Sequence, residues 1–434
     1  MTAPARLRGM VDLLPAEIGP WHAAEAALRR AMAAYGYAEL RTPIVERTAL
    51  FERSIGEATD IVEREMYTFE DRKGERVSLR PENTASAVRA AIEGGLLANG
   101  ASARVWYQGP MFRYERPQLG RQRQFHQAGA EAYGIEGPGI ECELILLSAR
   151  LWRELGIESA LTLEVNTLGT GEDRARWREA LVAHFTEHEG ALDEDSRRRL
   201  GTNPMRILDS KNPAMQDLVA AAPKLDALLA DDSRAHFEAL LGLLRAAGVD
   251  ARVNPRLVRG LDYYGHTVFE WVTDRLGAQS AVCAGGRYDG LVAELGQKGG
   301  AGVGWALGLE RVVALLERLE AAPAPAAPAL FLIATDDVDA AEAFALAETV
   351  RGLAGRPTLV HDLGGGGMKA RFRRADRSGA RAALVLGADE LAAGEVTLKP
   401  LRGERGAEGD GGQRRVARDA LGAAIAEALG PAAA

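Results

Sequence analysis

Two stretches of this 434-residue chain place arginines, tyrosines and carboxylates among apolar residues that favour β-strands. One runs from Met111 to Gln127 and continues to Glu131, and the other runs from Leu257 to Tyr264. Alternate side chains of a strand point to opposite faces, so one face can be buried while the other presents charged groups. The two stretches therefore predict a sheet that forms the floor of a site for a polar, anionic ligand.

The length predicts two or three domains, because a single core rarely grows beyond about 250–300 residues. No apolar run approaches the roughly 18 residues that a membrane helix needs, and residues 1–9 lack the apolar segment of a secretory signal. Cys142 and Cys283 are the only cysteines, so we expect a reducing, cytoplasmic location and no membrane association. The net charge of −8 argues mildly against a dedicated nucleic-acid-binding protein but not against a local basic surface.

The pattern of helices and strands changes along the chain. Residues 171–250 are highly charged and helical in pattern, which predicts an insertion into a sheet domain. The Ala/Pro tract at 321–329 predicts a semi-rigid linker, and short buried strands alternate with helices beyond it. We therefore expect a sheet domain in two parts (1–170 and 251–320), the insertion (171–250), the linker (321–329) and a small α/β domain (330–434).

The charged residues of the first stretch favour a phosphate site. Arg113 and Glu115 are two positions apart, so a strand would place both on one face. Arg121 and Arg123 follow across a predicted loop, and guanidinium groups suit a triphosphate because they bind phosphate bidentately and stay protonated. A solvated face of surface ion pairs is the competing interpretation.

Two further pairs of residues allow two interpretations each. Glu82 and Thr84 could accept hydrogen bonds from an ammonium group, because a carboxylate and a hydroxyl both offer acceptors. The same pair could form the N-terminal box of a helix, where these residue types are favoured. Tyr263 and Tyr264, taken alone, favour packing in a core, since tyrosines are common in strands.

Signatures of other enzyme classes are weak in this chain. The glycines from Gly302 to Gly308 are spaced G-x-G-x-x-x-G, one residue longer than the dinucleotide fingerprint. We expect these glycines to let a strand and a helix pack closely, with Trp305 on the apolar stripe of that helix. His184 to His188 fits the metalloprotease pattern H-x-x-E-H, but a solvated helix face is favoured because no third ligand is visible.

Basic residues recur every four positions near the C-terminus, at Lys369, Arg373, Arg377 and Arg381. If the segment is helical, these side chains form one basic face that could meet RNA phosphates. An ordinary solvated helix face is the alternative.

Four motifs together resemble histidyl-tRNA synthetases, which are class II aminoacyl-tRNA synthetases. Met111–Gln127 resembles motif 2 in its histidyl form, Leu257–Tyr264 and Ala284–Asp289 resemble two histidine signatures, and Gly302–Arg311 resembles motif 3. The region 364–386 resembles the anticodon-binding domain of the same family. The resemblance implies an α+β fold: a class II catalytic domain with an antiparallel sheet, a helical insertion and a C-terminal α/β anticodon-binding domain.

The resemblance also implies a histidine–tRNA ligase, which joins L-histidine and ATP into histidyl-adenylate and transfers histidine to the 3′ end of its tRNA. The implied catalytic residues are Arg113, Arg259 and Arg311. The implied histidine-binding residues are Glu82, Thr84, Gln127, Glu131, Tyr263, Tyr264 and Tyr288. The implied ATP-binding residues are Arg113, Glu115, Arg121, Phe125 and Arg311. The implied tRNA-binding residues are Arg116, Gln118, Lys369, Arg373, Arg377 and Arg381. Mg²⁺ would be held mainly by the ATP phosphates, with no protein metal site.

Within these sets, the resemblance assigns specific roles. Arg113 and Arg259 would lie beside the substrate carboxylate and the α-phosphate, and Arg311 would hold the γ-phosphate. The imidazole would lie between Glu131 and Tyr264, because its one N–H donor and one acceptor nitrogen match a carboxylate and a phenol.

The helix pattern at 21–35 and the strand that follows it resemble motif 1, which forms the dimer interface in this family, so a homodimer is implied. Two other classes of function remain open. A catalytically silent regulatory subunit of histidine biosynthesis is disfavoured by the retention of Arg259, Tyr264 and Arg311. A pure RNA-binding protein is disfavoured by an arginine-lined pocket far from the C-terminal basic residues.

Overall fold

A computed structural model describes residues 5–56, 59, 61–118, 120–210, 212–258, 263–277, 281–297, 299–322, 327–402 and 412–430. The chain divides into two compact units, Met1–Pro323 and Ala324–Ala434. The expected linker at 321–329 spans this division, and its residues 323–326 lie outside the described residues. The finer domain boundaries stay predictions.

The first unit combines two sheets with helices. Its strands are β1 (Ala38–Glu39), β2 (Val45–Arg47), β3 (Tyr67–Glu70), β4 (Arg76–Leu79), β5 (Ala103–Phe112), β6 (Gln124–Tyr133), β7 (Thr162–Thr167), β8 (Ala251–Val253), β9 (Gly265–Val272), β10 (Ala281–Arg287) and β11 (Gly302–Gly308). Its helices are α1 (Gly19–Ala34), α2 (Thr48–Ile55), α3 (Thr84–Glu93), α4 (Pro138–Glu154), α5 (Gly171–Glu187), α6 (Glu194–Thr202), α7 (Gln216–Ala221), α8 (Asp231–Ala246), α9 (Asp289–Glu294) and α10 (Leu309–Arg318).

The large sheet has the strand order β1-β5-β6-β11-β10-β9-β7-β8. Its central pairings, from β5 through to β7, are antiparallel, and the outer strands β1 and β8 pair in parallel. A smaller sheet, β2-β4-β3, is antiparallel throughout. The expected α+β fold with an antiparallel sheet is confirmed.

One face of the large sheet is buried under helices. Ala128, Ala130 and Ala132 of β6 face a core to which α1, α4, α8 and α10 contribute. Trp305 belongs to the same core, but it lies on β11 and not on the following helix, so its expected place on the helical stripe was wrong. Side chains alternate along a strand, so the neighbours of these residues point to the opposite face.

The segment 171–250 contains α5 to α8, and its described residues form no strand. Thr170 begins α5 with a capping box, in which Asp173 is the partner. Asp173 is fully buried and also accepts hydrogen bonds from the backbone N–H of Ala230 and the hydroxyl of Ser233, which joins α5 to α8. Among the described helices, none is long and apolar enough to cross a membrane.

The second unit is a five-stranded sheet with helices. Its strands are β12 (Leu330–Ala334), β13 (Leu359–His361), β14 (Ala382–Leu386), β15 (Glu395–Pro400) and β16 (Arg414–Ala417). Its helices are α11 (Ala340–Arg351), α12 (Met368–Arg377), α13 (Ala388–Ala393) and α14 (Leu421–Leu429). The strand order is β13-β12-β14-β15-β16, with β12 parallel to both of its neighbours. This arrangement agrees with the expected α/β module.

The expected basic helix face is shorter than the sequence predicts. Lys369, Arg373 and Arg377 lie on α12 and are exposed. Arg381 is also exposed but follows the helix, because Gly379 takes a left-handed conformation (φ +82) that ends it. The guanidinium of Arg381 donates to the carbonyl oxygen of Leu429.

A buried carboxylate ties three elements of the first unit together. Glu141 of α4 is fully buried and accepts from Arg287 Nε of β10 and interacts with His236 Nε2 of α8, both at 2.7 Å. Burial alone would raise the pKa of Glu141, but the hydrogen bond with His236 and the charge of Arg287 lower it below its usual value. The carboxylate is therefore ionised and holds the insertion against the sheet.

We predict that Glu141→Ala lowers the free energy of unfolding of the first unit by about 3 kcal/mol, because Arg287 would lose its buried carboxylate partner and keep only the more exposed Asp289. Tryptophan fluorescence in guanidinium measures this, since all 6 tryptophans precede residue 323. Asp195→Ala is the control: its ion pair with Arg198 is exposed and should contribute less than about 1 kcal/mol. Equal losses in the two variants would contradict the prediction.

Candidate active site

A cavity of about 370 Å³ lies on the face of the large sheet that carries Gln127, Ala306 and Gly308. It brings together residues that are far apart in the sequence. The predicted site residues that line it are Glu82, Thr84, Arg113, Glu115, Arg121, Phe125, Gln127, Tyr263, Tyr264 and Arg311. Both sequence stretches that predicted a ligand site therefore contribute to one cavity.

Arg113 and Arg121 form one charged wall. Arg113 Nε donates to the carbonyl oxygen of Pro81 at 2.7 Å, and its guanidinium lies 5.3 Å from the centre of the Phe125 ring. Glu115 is nearly buried and lies between them, 2.5 Å from Arg121 Nε and 3.9 Å from Arg113 Nη1. The ion pairs of the competing interpretation do form, but they line a cavity and are not on an open surface.

Arg311 closes the same wall from the start of α10. Its Nε donates to the carbonyl oxygen of Gly120 at 3.3 Å, and its Nη1 donates to that of Ala281. Burial lowers the pKa of Arg311, and the positive charges of Arg121 and Arg113 lower it further. Three guanidiniums that repel one another would be stabilised by an anion with several negative oxygens, such as a polyphosphate.

Glu82 and Thr84 form a polar corner at the start of α3. The Glu82 carboxylate accepts the backbone N–H groups of Thr84 at 2.5 Å and Ala85 at 3.0 Å, so the helix N-terminal box exists. Both side chains also line the cavity, next to Gln127, whose Oε1 accepts the backbone N–H of Asn83 at 3.2 Å. Burial raises the pKa of Glu82. The corner offers acceptors to an ammonium group.

Glu131 lies behind the cavity wall, and neither it nor Tyr288 lines the cavity. Its carboxylate is fully buried and accepts from Thr84 Oγ1 at 3.0 Å, from the Tyr107 hydroxyl at 3.1 Å and from the Tyr288 hydroxyl. Burial raises the pKa of Glu131 and the hydrogen bonds from Tyr288 and Thr84 lower it, and the net result is a pKa raised to about 8. The rings of Tyr263 and Tyr264, 4.6 Å apart, lie close to that of Tyr288.

Glycines on β11 make room for this carboxylate. A Cβ at Gly304 would lie 1.5 Å from Glu131 Oε2, and one at Gly302 would lie 2.7 Å from the Tyr288 ring. The expectation that these glycines let a strand and a helix pack closely agrees with Gly302, where a Cβ would also lie 2.7 Å from Val292 of α9, whereas Gly304 faces the Glu131 carboxylate.

Several cavity residues were missed by sequence reasoning. Glu310 lines the cavity and accepts the backbone N–H of His126, at 2.8 Å and 3.0 Å from its two oxygens, which extends the pairing of β6 beyond Gly308. Its position before Arg311 was the available signal. Arg206 reaches the cavity from the helical insertion, and nothing in its local pattern indicated this. Tyr107, which does not line the cavity but hydrogen-bonds to Glu131 behind it, was also missed, although it is register-paired with Gly129 on β6.

Of the remaining predicted residues of the first unit, some lie outside the described residues and others do not line this cavity. Arg259 lies outside the described residues, as do its neighbours 260–262. Arg116 and Gln118 are exposed and are absent from the cavity lining. His184 and His188 interact with backbone carbonyl oxygens, and no cluster of three metal-binding side chains occurs in the described part of the chain.

We predict that Gly304→Ala destabilises the first unit by about 1–3 kcal/mol, because the added methyl must displace the Glu131 carboxylate. Gly242→Ala is the matched control in the interior of α8, where a Cβ meets nothing within 4 Å. That change should stabilise the unit by up to about 1 kcal/mol. Guanidinium unfolding with tryptophan fluorescence compares them, and a Gly304→Ala variant as stable as the parent would contradict this geometry.

Comparison with known proteins agrees with these observations. The family model described as Histidyl-tRNA synthetase matches residues 9–312, and the model described as Anticodon binding domain matches residues 352–428. A protein named histidine–tRNA ligase from Halorhodospira halophila is 55% identical over 415 residues, which are 96% of each chain.

Two solved structures resemble this chain over most of its length. The apo histidyl-tRNA synthetase of S. aureus is 32% identical, with a TM-score of 0.81 over 98% of this chain and 100% of that chain. A Bacillus halodurans structure, titled as an ATP phosphoribosyltransferase regulatory subunit/histidyl-tRNA synthetase, has a TM-score of 0.63 at 20% identity, over 88% of this chain and 98% of that one. At that identity, the second likeness concerns the fold alone.

Proposed function

This chain belongs to the histidyl-tRNA synthetase family and has histidine–tRNA ligase activity, and we propose that the cavity on the large sheet is where L-histidine and ATP react. The family, the fold and the activity that the sequence predicted are confirmed. The regulatory alternative is not supported, because the 55% identical relative is a ligase. One observation carries the proposal for the site: a single cavity joins an ammonium-binding corner to three arginines, with Glu131 directly behind it.

The polar corner orients histidine for the first step. Glu82, Thr84 and Gln127 accept hydrogen bonds from the α-ammonium group. A carboxylate oxygen of histidine then attacks the α-phosphorus of ATP, and pyrophosphate leaves. The histidine carboxylate is already anionic, so no side chain has to remove a proton. Arg113 stabilises the charge that develops between the carboxylate and the α-phosphate.

The remaining arginines hold the phosphates. Arg121 and Arg311 bind the outer phosphates, and Phe125 stacks on the adenine while Glu115 holds the adenosine end. Mg²⁺ would be held mainly by the ATP phosphates, where it would offset part of their negative charge. Arg259 acts beside the α-phosphate; this role rests on its sequence signature alone.

The imidazole is recognised by Glu131 with Tyr264, while Tyr263 and Tyr288 support them. A buried carboxylate and a phenol satisfy both ring nitrogens of a neutral imidazole, and amino acids without such groups would leave them unpaired. Tyr264 lines the cavity, and Glu131 lies behind Thr84, whose hydroxyl donates a hydrogen bond to it. The imidazole ring therefore enters between Thr84 and the tyrosines.

The tRNA meets other surfaces. Arg116 and Gln118 are exposed beside the cavity loop and face the acceptor end. Lys369, Arg373, Arg377 and Arg381 of the second unit are exposed and meet phosphates of the tRNA.

The enzyme works as a cytoplasmic homodimer. Exposed apolar side chains support the dimer: Ile44, Val45 and Phe69, on or beside the small sheet, are 42%, 42% and 49% exposed. An exposed apolar group of this kind is typical of a subunit interface. The family's place in protein synthesis supports the location.

Amino-acid-dependent ATP–pyrophosphate exchange tests the proposed function. Histidine alone, among the twenty amino acids, should stimulate exchange. Absence of stimulation by histidine, or equal stimulation by another amino acid, would contradict it.

We predict that at about pH 9, above the pKa of about 8 of Glu131, Glu131→Gln raises the KM for histidine by about a hundredfold, because the loss of a charged hydrogen-bond partner costs about 3 kcal/mol. The KM for ATP should change less than about twofold. Glu164→Gln is the control, since Glu164 is a nearly buried carboxylate of β7 that does not line the cavity. Equal losses for histidine and ATP would mean that Glu131 is a structural residue.

Neutralising Lys369, Arg373, Arg377 and Arg381 together should leave pyrophosphate exchange intact and weaken tRNA charging. The salt dependence of tRNA binding should flatten by a slope of about 0.7–0.9 for each lost phosphate contact. Arg414 and Arg415 serve as the control pair, because carboxylates of the same unit already pair with them. Charging and salt dependence that match the parent would remove this surface from tRNA recognition.

A further inference from the structure

Three hydroxyl groups surround the recognition carboxylate. Glu131 Oε1 accepts from Thr84 and from Tyr107, and Oε2 accepts from Tyr288. Thr84 lines the cavity, and Tyr288 belongs to the second histidine signature. Tyr107 belongs to no motif, is 2% exposed and does not line the cavity. Its hydroxyl lies 3.1 Å from Glu131 Oε1 and 3.5 Å from Thr84 Oγ1, so Tyr107 can act on a bound substrate only through these two residues.

The sheet is built to let the Tyr107 hydroxyl reach this place. Tyr107 of β5 is register-paired with Gly129 of β6, and Glu131 follows two residues later on the same face. A Cβ at Gly129 would lie 2.4 Å from the Tyr107 hydroxyl oxygen, and one at Gly304 would lie 1.5 Å from Glu131 Oε2. Gly129 thus leaves room for the Tyr107 hydroxyl, and Gly304, on the adjacent strand, leaves room for the Glu131 carboxylate.

We propose that Tyr107 is a positioning residue for histidine recognition: its hydroxyl fixes the orientation of the Glu131 carboxylate and stabilises its ionised form. This inference rests on the proposed function, because it takes Glu131 to be the partner of the imidazole.

Two effects on the pKa of Glu131 oppose each other: burial disfavours the ionised carboxylate, and hydrogen bonds from hydroxyl groups favour it. Burial and the negative charge of Glu82 raise the pKa of Glu131, while the hydroxyls of Tyr288, Thr84 and Tyr107 lower it, and together these effects raise the pKa to about 8. Three other phenols interact electrostatically with Glu131, those of Tyr133, Tyr263 and Tyr37. Burial raises the pKa of each, so all three stay neutral over the pH range of the assay.

The direction of the pH effect follows from this balance. An ionised Glu131 accepts the imidazole N–H and a protonated one does not, so kcat/KM for histidine should rise as pH passes upward through its pKa. Loss of the Tyr107 hydroxyl removes a donor to the ionised form, so the pKa of Glu131 should rise. The rise in kcat/KM should then occur at higher pH than in the parent.

The test is pyrophosphate exchange by Tyr107→Phe, measured with varied histidine and varied ATP from about pH 6 to 9. At neutral pH we expect the KM for histidine to rise about tenfold and the KM for ATP to stay within about twofold. The midpoint of the pH profile for histidine should move to higher pH. Ionisation of free histidine is common to both enzymes and cancels in the comparison.

Tyr37→Phe is the matched control. The Tyr37 hydroxyl also donates to a carboxylate, Glu143, at 3.2 Å, and Tyr37 is 4% exposed. Neither residue lines the cavity. This variant loses the same chemical group and should keep the parent KM values and the parent pH midpoint.

Any other outcome would contradict the proposal. An unchanged KM for histidine would show that Tyr107 does not position Glu131. A higher KM with an unmoved midpoint, or equal losses for histidine and ATP, would show a role in packing only. The parent enzyme is first assayed against all twenty amino acids. If its exchange does not depend on histidine, the proposed function fails as well; if it does, a failure in Tyr107→Phe concerns this inference alone.

Discussion

The pairing of β6 with β11 sets the geometry on which the active site depends. This register places Glu131 opposite Gly304 and Gln127 opposite Gly308, so polar side chains of one strand stand over glycines of the other. A shift of one residue would turn Glu131 into the helix-covered core and Ala132 towards the cavity. The buried alanines of β6 and the apolar residues of β11 exclude that shift, because they already fill the core face.

Charge separation divides the cavity into two functional parts. Arg113, Arg121 and Arg311 lie at one end, where burial and the positive charges of the other two lower the pKa of Arg311, while Glu82 at the other end and Glu131 behind it are buried with raised pKa values. A ligand with negative oxygens at the arginine end and hydrogen-bond donors at the carboxylate end would stabilise both further. A zwitterionic amino acid with an imidazole, placed beside ATP, satisfies both ends at once. Binding energy is thus concentrated where the two substrates meet.

The sequence predicted those parts of the structure that short-range patterns determine. The stretch from Met111 to Glu131 predicted part of a sheet, and the structure places β6 at Gln124–Tyr133 within it. The short buried strands expected beyond the linker are present, among them Ala382–Leu386. Most proposed site residues belonged to recognisable motifs and line one cavity. Tyr107, Arg206 and Glu310 were missed because their roles depend on strand register and on long-range packing. The position of Trp305 was misjudged because its apolar spacing suits both a strand and the helix that follows.

A crystal structure with histidine bound would test the central claim most directly. The account predicts the imidazole within hydrogen-bonding distance of Glu131 and Tyr264, and the α-ammonium group against Glu82, Thr84 and Gln127. Histidine bound elsewhere, or bound in the cavity while Glu131 contacts only Thr84, Tyr107 and Tyr288, would contradict it.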